Sequence, residues 1–191
     1  MTLETTKLLG GIGAVLMLIS PIGMHTGIVG LAGIILVMIA LSRLAYHYNE
    51  PAIFNNALYG ILAAIIGIAI FAIIMATTFF TLTQDLGIDF SNWAMLQNMR
   101  WEKMIDWNTF WPYLAVIILD FVMLFVFIII AALFLRRSLA LLGEKTGVHA
   151  FYTARMLILI GAILAIIAIG FIILWVALIF LAIAFFSIKT T

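Results

Sequence analysis

The stretch LAVIILDFVMLFVFIIIAALFLRR, residues 114–137, decides the fold class, because Asp120 alone interrupts an apolar run that ends at two arginines. An α-helix rises about 1.5 Å per residue, so about 20 residues cross a hydrocarbon core about 30 Å thick. Three other long runs contain no charged residue, at 8–42, 51–84 and 156–188. The sequence therefore predicts an all-α fold, a polytopic transmembrane helical bundle.

The composition agrees with a membrane protein and excludes several functional classes. Apolar residues make up 67% of the 191 residues, charged residues make up 9%, and the mean hydropathy is +1.33, whereas soluble domains have about 25% charged residues. A net charge of +1 and short polar loops leave no basic surface for nucleic acid. Because the chain has no cysteine, it has no disulfide, thiolate metal site or cysteine nucleophile.

The sequence contains no motif for catalysis or for cofactor binding. The apolar runs lack a Ser/His/Asp set, a His-Glu-x-x-His motif and a pair of histidines for haem. His25 and His47 are predicted at opposite membrane faces, so they cannot share a metal ion with His149. We expect a protein that is not an enzyme and holds no metal or cofactor.

The breaks between the apolar runs predict five helices in a single transmembrane domain, residues 1–191. The predicted helices cover residues 8–22, 27–45, 51–83, 109–135 and 155–187, and an external aromatic-rich connection covers 85–108. Pro21 and Gly23 divide the first run. Each half is barely long enough to cross, so the first two helices form either a short transmembrane pair or a re-entrant hairpin.

The distribution of lysine and arginine predicts the orientation of the chain, because cytoplasmic loops carry an excess of both. Five crossings place six of these residues on the side of the N-terminus, namely Lys7, Arg43, Arg136, Arg137, Lys145 and Arg155. Arg100, Lys103 and Lys189 fall on the other side. We therefore expect a multi-pass cell-membrane protein with a cytoplasmic N-terminus and an external C-terminus.

The external connection and the first turn of the next predicted helix hold four of the five tryptophans, Trp93, Trp101, Trp107 and Trp111. Tryptophan is enriched where a membrane protein meets the headgroup region, so these residues are typical of an interfacial belt. The alternative is an aromatic ligand site. Residues 91–105 are compatible with a short interfacial helix, although their apolar side chains do not share one face.

Small residues recur four positions apart in the predicted helices, as in Gly10 and Ala14, Gly60 and Ala64, and Gly161 and Ala165. Lipid-embedded helices gain contact where small residues let two backbones approach closely. These pairs predict helix-packing seams and favour a structural role for the chain.

Asp120 is the one acidic residue inside a predicted helix. A charge at the bilayer centre costs about 3 kcal/mol on insertion scales, so an embedded acid needs a partner, a water path or a neutral form. Asp120 lies eight residues after Pro112, about 12 Å below the outer end of its helix. We predict that it faces three hydroxyls at a comparable depth in the third helix, those of Thr77, Thr78 and Thr81. Its role stays open between a neutral acid bonded within the bundle, a proton- or cation-binding group, and a contact with a partner subunit.

A basic group follows the fourth predicted helix and consists of Arg136, Arg137, Lys145 and Arg155. Such a cluster on the cytoplasmic side can contact anionic lipid headgroups. The simpler alternative is that these charges only set the topology.

Two segments resemble a known family. They are the run YHYNEPAIFNNALYG at residues 46–60 and the run KLLGGIG at residues 7–13, and they are similar to the small archaeal and bacterial membrane proteins grouped as domain of unknown function 996. The resemblance implies a compact helical protein of a prokaryotic, archaeal cell membrane. It implies no activity, and no residue can be carried over as a site.

Two functions remain open at this stage. The first is a non-catalytic structural or accessory subunit, which associates with membrane lipids and with other membrane subunits or copies of itself. The alternative is a small transporter or channel subunit in which Asp120 binds a proton or cation. The first is favoured because residues 121–135, which follow Asp120, are wholly apolar.

Overall fold

The computed structural model describes residues 2–22, 26–87 and 107–189. These residues form six α-helices and no strand: α1 (Leu3–Ile19), α2 (Thr26–His47), α3 (Pro51–Asp85), α4 (Trp107–Thr146), α5 (His149–Leu164) and α6 (Ile169–Phe186). Five stretches of the described residues are long and apolar enough to cross a membrane, namely α2, α3, α4, α6, and α5 extended through the following 3-10 turn to Ile167. Helix α1 has 17 residues and is not among them. The predicted all-α class of polytopic membrane protein is confirmed.

The first two helices form an antiparallel pair whose backbones touch. A Cβ atom added at Gly13 would lie 2.7 Å from the carbonyl oxygen of Gly33 and 2.9 Å from the amide nitrogen of Val37. Such a distance leaves no room for a side chain, so glycine is required at the crossing. Gly13 and Gly33 are not among the predicted small-residue pairs, whereas Gly10, which is, packs within the chain against Phe185.

The turn between α2 and α3 is built by residues that the sequence places at a helix end. Asn49 adopts the left-handed conformation with a φ of 49°, and the Glu50 amide donates to the Ala45 carbonyl at 2.9 Å. This is the hydrogen-bond pattern that closes many helix C-termini. Pro51 then begins α3 at the position where its missing amide hydrogen costs nothing.

Helix α4 is longer than predicted: it continues past residue 135 and ends at Thr146. The added turns are amphipathic, with Leu139 and Leu142 buried. Ser138 is also buried and donates to the Ile53 carbonyl at 2.6 Å. Gly147 follows the last residue of the helix and adopts the left-handed conformation with a φ of 68°. Its amide donates to the Gly143 carbonyl, which closes the last turn.

The prediction of one fifth helix over residues 155–187 is wrong. The chain breaks at a 3-10 turn, Ala165–Ile167, and at Ala168, which has a left-handed φ of 63°. Helices α5 and α6 fold back on each other, with Gly161 against Leu174 and Phe151 against Phe185 at a ring distance of 5.5 Å. A run of more than 30 apolar residues is longer than one crossing needs. In this chain the run forms two antiparallel helices instead of one long helix.

The start of α1 and the end of α6 lie at the same end of one packed unit. Helix α6 is antiparallel to α1, because Phe185 packs on Gly10 while the Trp175 indole donates to the Leu18 carbonyl at 2.8 Å. The prediction of termini on opposite membrane faces depends on five crossings, and this arrangement of α1 and α6 does not support it. The cytoplasmic location of this end stays a prediction, and the residues that support it now include Lys189.

The described residues fall into two compact units. Unit 1 comprises residues 1–64 and 128–191, and unit 2 comprises 65–127. The core of unit 1 is formed by large buried side chains, Leu44, Ile53, Leu142, Phe151, Phe185 and Ile188. Unit 2 contains the second part of α3 and the first part of α4, and it holds Asp120.

Candidate functional site

Asp120 is a buried acid without a hydrogen-bond partner. Its side chain is 1% exposed, and neither carboxyl oxygen, Oδ1 or Oδ2, accepts or donates a hydrogen bond to any described residue. Buried polar groups in folded proteins are nearly always hydrogen-bonded, and each exception requires an explanation. Asp120 is therefore the first candidate for a functional group in this chain.

The position of Asp120 follows from a seven-residue spacing along α4. Tyr113 and Phe127 lie seven residues to either side of it, so all three lie on one face of the helix. The Tyr113 hydroxyl donates to the Asp85 carboxylate of α3. Phe127 packs on Gly67 of α3, because a Cβ added at Gly67 would lie 2.5 Å from the Cβ of Phe127. Asp120 therefore lies on the face of α4 that packs against α3.

The predicted threonines lie in the part of α3 between these two contacts, but two of them direct their hydroxyls elsewhere. Thr77 donates to the carbonyls of Ile73 and Ile74 at 2.9 Å each. Thr81 donates to the carbonyls of Thr77 and Thr78 at 3.0 and 3.1 Å. Donation from Thr77 or Thr81 to Asp120 is thus not made, because both hydroxyls are bonded to their own helix.

Thr78 differs from its two neighbours because it is buried, with 7% of its surface exposed. It lies seven residues after Phe71, whose ring packs edge-on against Phe121 at 5.2 Å. The face of α3 that carries Phe71 therefore also carries Thr78. Contact between Thr78 and Asp120 stays a prediction.

The four residues of the basic group have different surroundings. Arg136 and Arg137 are exposed. Lys145 forms an ion pair with Glu50 at 3.3 Å, and such exposed pairs add little stability. The Arg155 guanidinium lies 4.7 Å from the centre of the Tyr152 ring, while its Nε is buried without a partner. Lipid-headgroup contact stays a prediction, and Arg136 and Arg137 are the exposed members that form no ion pair with a described residue.

Part of the predicted external connection lies outside the described residues. Trp93, Trp101, His25 and the helix over 91–105 fall in the gaps, and the side chain of Trp107 is also undescribed. Trp111 is described and is 64% exposed. Within the described ranges, no three His, Asp or Glu side chains come together as a metal site.

The structure contains one feature that sequence reasoning missed, an apolar cavity of about 730 Å³ in unit 1. Residues from all six helices line it, and Ser138 is the one with a hydroxyl, which is already bonded to Ile53. No local sequence signal marks such a cavity, because its residues come from distant parts of the chain and look like ordinary packing positions.

Comparison with known proteins gives the family. The sequence profile described as "Protein of unknown function (DUF996)" matches residues 29–179, which is most of the chain. The chain belongs to DUF996. A similar DUF996-like chain is an uncharacterized protein of Methanocaldococcus jannaschii, 29% identical over 189 residues, which cover 98% of this chain and 94% of the relative. No solved structure matches this DUF996 chain.

Proposed function

We propose that this DUF996 chain is a non-catalytic accessory subunit of a membrane assembly, and that the α3–α4 pair of unit 2 meets the partner. The apolar helices support a cell membrane as its location, and the relative from Methanocaldococcus jannaschii supports an archaeal origin. The partner we propose is another integral membrane protein, which presents a transmembrane helix to this pair.

The observation that carries this proposal is the low coverage of the two longest helices. Only 17% of the most apolar window of α3 and 11% of that of α4 are buried, against 28% to 33% for the other three spans. Helices of a membrane bundle gain stability by packing on one another. The α3–α4 pair therefore leaves the largest share of its apolar surface for lipid or for a partner.

The exposed side chains of unit 2 favour a protein partner. Phe80 is 62% exposed, Leu119 is 65% exposed and Phe121 is 54% exposed. Large, rigid aromatic side chains are enriched in protein interfaces because they bury much surface for little loss of conformational entropy.

Crosslinking in the native membrane tests this proposal. Because the chain has no cysteine, Leu119→Cys introduces a single site for a photoreactive maleimide. We expect illumination to join this site to a second protein of defined mass, identified by mass spectrometry. Ile35→Cys on α2 is the matched control, since Ile35 is 59% exposed, and we expect it to give lipid adducts.

The result that contradicts the proposal is equally specific. Lipid adducts alone at both positions would mean that the α3–α4 pair faces the bilayer. A protein adduct with twice the mass of the chain would assign this face to self-association instead of a different subunit.

A second candidate function is a small transporter or channel subunit in which Asp120 binds a proton. It is favoured by the burial of Asp120 without a partner, because ionisable residues inside the membrane commonly serve proton or ion movement. A proton needs one acceptor oxygen, which the Asp120 carboxylate supplies, whereas a metal cation needs several oxygen ligands.

Proton flux into liposomes tests this second candidate. With a potassium gradient, valinomycin and an internal pH-sensitive dye, the wild-type protein is expected to acidify the lumen. Asp120→Asn should reduce the flux to that of protein-free liposomes, whereas Asp120→Glu keeps an acid and should retain part of it. Equal flux for the wild type and Asp120→Asn would exclude Asp120 from this role.

A further inference from the structure

We propose that the apolar cavity of unit 1 binds one hydrocarbon chain of a membrane lipid, which enters at the end formed by Pro21, Phe171 and Trp175. This site is separate from Asp120, which belongs to unit 2, and it does not depend on the proposed function.

The lining of the cavity selects an apolar ligand. Its walls come from Ile34, Ile61, Leu135, Ile158, Leu174 and Leu178, among others. The two polar groups on the lining are already used, since the Ser138 hydroxyl donates to Ile53 and the Trp175 indole donates to Leu18. A polar ligand would lose its hydrogen bonds to water without replacing them, and this is costly in an apolar environment.

The exposure of the lining residues shows which end is open. Val37, Leu41 and Leu181 are between 3% and 8% exposed and form the closed end. Phe171 is 59% exposed and Trp175 is 40% exposed, and both lie at the opposite end. The cavity is therefore a pocket with a buried floor and an exposed mouth.

The surroundings of the mouth are apolar as well. The nearby tip of the α5–α6 hairpin reads LAIIAIG at residues 164–170, without a polar side chain. Ile166 and Ile167 at this tip are 67% and 57% exposed. A turn with this sequence suits hydrocarbon and not water, so the phase that reaches the mouth consists of lipid chains.

An empty or water-filled cavity of this size is unfavourable. Protein interiors are close-packed, with few voids larger than one water molecule, and apolar cavities do not hold water. A volume of about 730 Å³ falls in the range of about 300 to 1,000 Å³ typical of ligand pockets. From Phe171 to Leu181 the pocket follows ten residues of α6, a length of about 15 Å, which suits an elongated chain.

Photolabelling from the bilayer tests this inference. The protein is reconstituted in phosphatidylcholine vesicles that contain a phospholipid with a diazirine at the end of one acyl chain, and labelled residues are mapped by mass spectrometry. We expect label on Val37 and Leu41 of α2, which bulk lipid cannot reach, in addition to label on the exposed Ile35 and Ile39 of the same helix.

Filling the cavity supplies the decisive comparison. Ala64→Phe adds a ring from the α3 side, and Leu178→Trp fills the cavity from α6. Either variant should lose the label on Val37 and Leu41 and keep it on Ile35 and Ile39. Ala32→Phe adds the same ring at an exposed position of α2 and should leave all labelling unchanged.

Two outcomes would overturn the inference. One is the absence of label on Val37 and Leu41 in the wild type, which would mean that no lipid chain reaches the floor. The other is unchanged floor labelling in filled variants that unfold at the same temperature as the wild type, which would mean that the label arrives by another route.

Discussion

Replacing Gly170 with alanine is expected to open the α5–α6 hairpin and to lower the free energy of unfolding by about 3 kcal/mol. An added Cβ would overlap the carbonyl oxygen of Gly161 and the amide nitrogen of Ala165. Both are backbone atoms, so they cannot move aside by changing a rotamer. The two helices would have to separate, and the contacts of α6 with α1 would be disturbed with them.

The matched control is the same substitution at Gly27, the second residue of α2. An added Cβ there meets no other atom within 4 Å, and alanine is a better helix former than glycine by up to about 1 kcal/mol. Gly27→Ala should therefore leave the stability unchanged or raise it. Unfolding of both variants in detergent micelles, followed by circular dichroism, measures the difference. Equal stability of Gly170→Ala and the wild type would contradict the tight crossing at residues 161–170.

Replacing Asp120 with leucine is expected to stabilise the protein by about 3 kcal/mol, the size of the penalty for an acid at the centre of a membrane helix. The carboxyl group is 1% exposed and has no hydrogen-bond partner among the described residues. Its removal therefore breaks no observed bond, and an apolar side chain gains favourable surroundings. Asp120→Ala removes the same group without added volume and should change the stability in the same direction.

The contrasting control is Ser138→Ala. Ser138 is also fully buried, but it donates to the Ile53 carbonyl at 2.6 Å. Its loss leaves that carbonyl without this donor and should cost about 1 kcal/mol. Denaturant unfolding of the wild type, Asp120→Leu, Asp120→Ala and Ser138→Ala measures the change in the free energy of unfolding for each variant. We expect an increase for the two Asp120 variants and a decrease for Ser138→Ala. A loss of stability in both Asp120 variants would show that the carboxyl group is held by a partner, which would return attention to Thr78.

Stabilisation by Asp120→Leu would bear on function as well. A buried acid that costs stability and forms no hydrogen bond with a described residue calls for another explanation, and functional sites are where such costs concentrate. The expected result for Asp120→Leu therefore agrees with the proton-binding candidate, and the flux measurement decides between that candidate and a neutral buried acid.

The limits of sequence reasoning are clearest at the C-terminal apolar run. Its length predicts one helix over residues 155–187, since no proline occurs in it and no polar residue between 156 and 186 marks a turn. The break depends on Gly161 and Gly170, whose missing side chains permit two backbones to touch. A glycine seam and a glycine inside a continuous helix look the same in sequence. The sequence also predicts that α4 ends at residue 135, before Arg136 and Arg137. The helix continues to Thr146, because Leu139 and Leu142 are buried in the core of unit 1.

The sequence by itself determined the class of this protein, the buried acid and the helices α2 and α3, because long apolar runs, an isolated charge and the residues Asn49, Glu50 and Pro51 act locally. Only the tertiary structure decided that the start of α1 and the end of α6 share one end, that Thr77 and Thr81 do not donate to Asp120, and that six helices line an apolar cavity. These features depend on which distant residues come into contact, and spacing along the chain does not encode that directly.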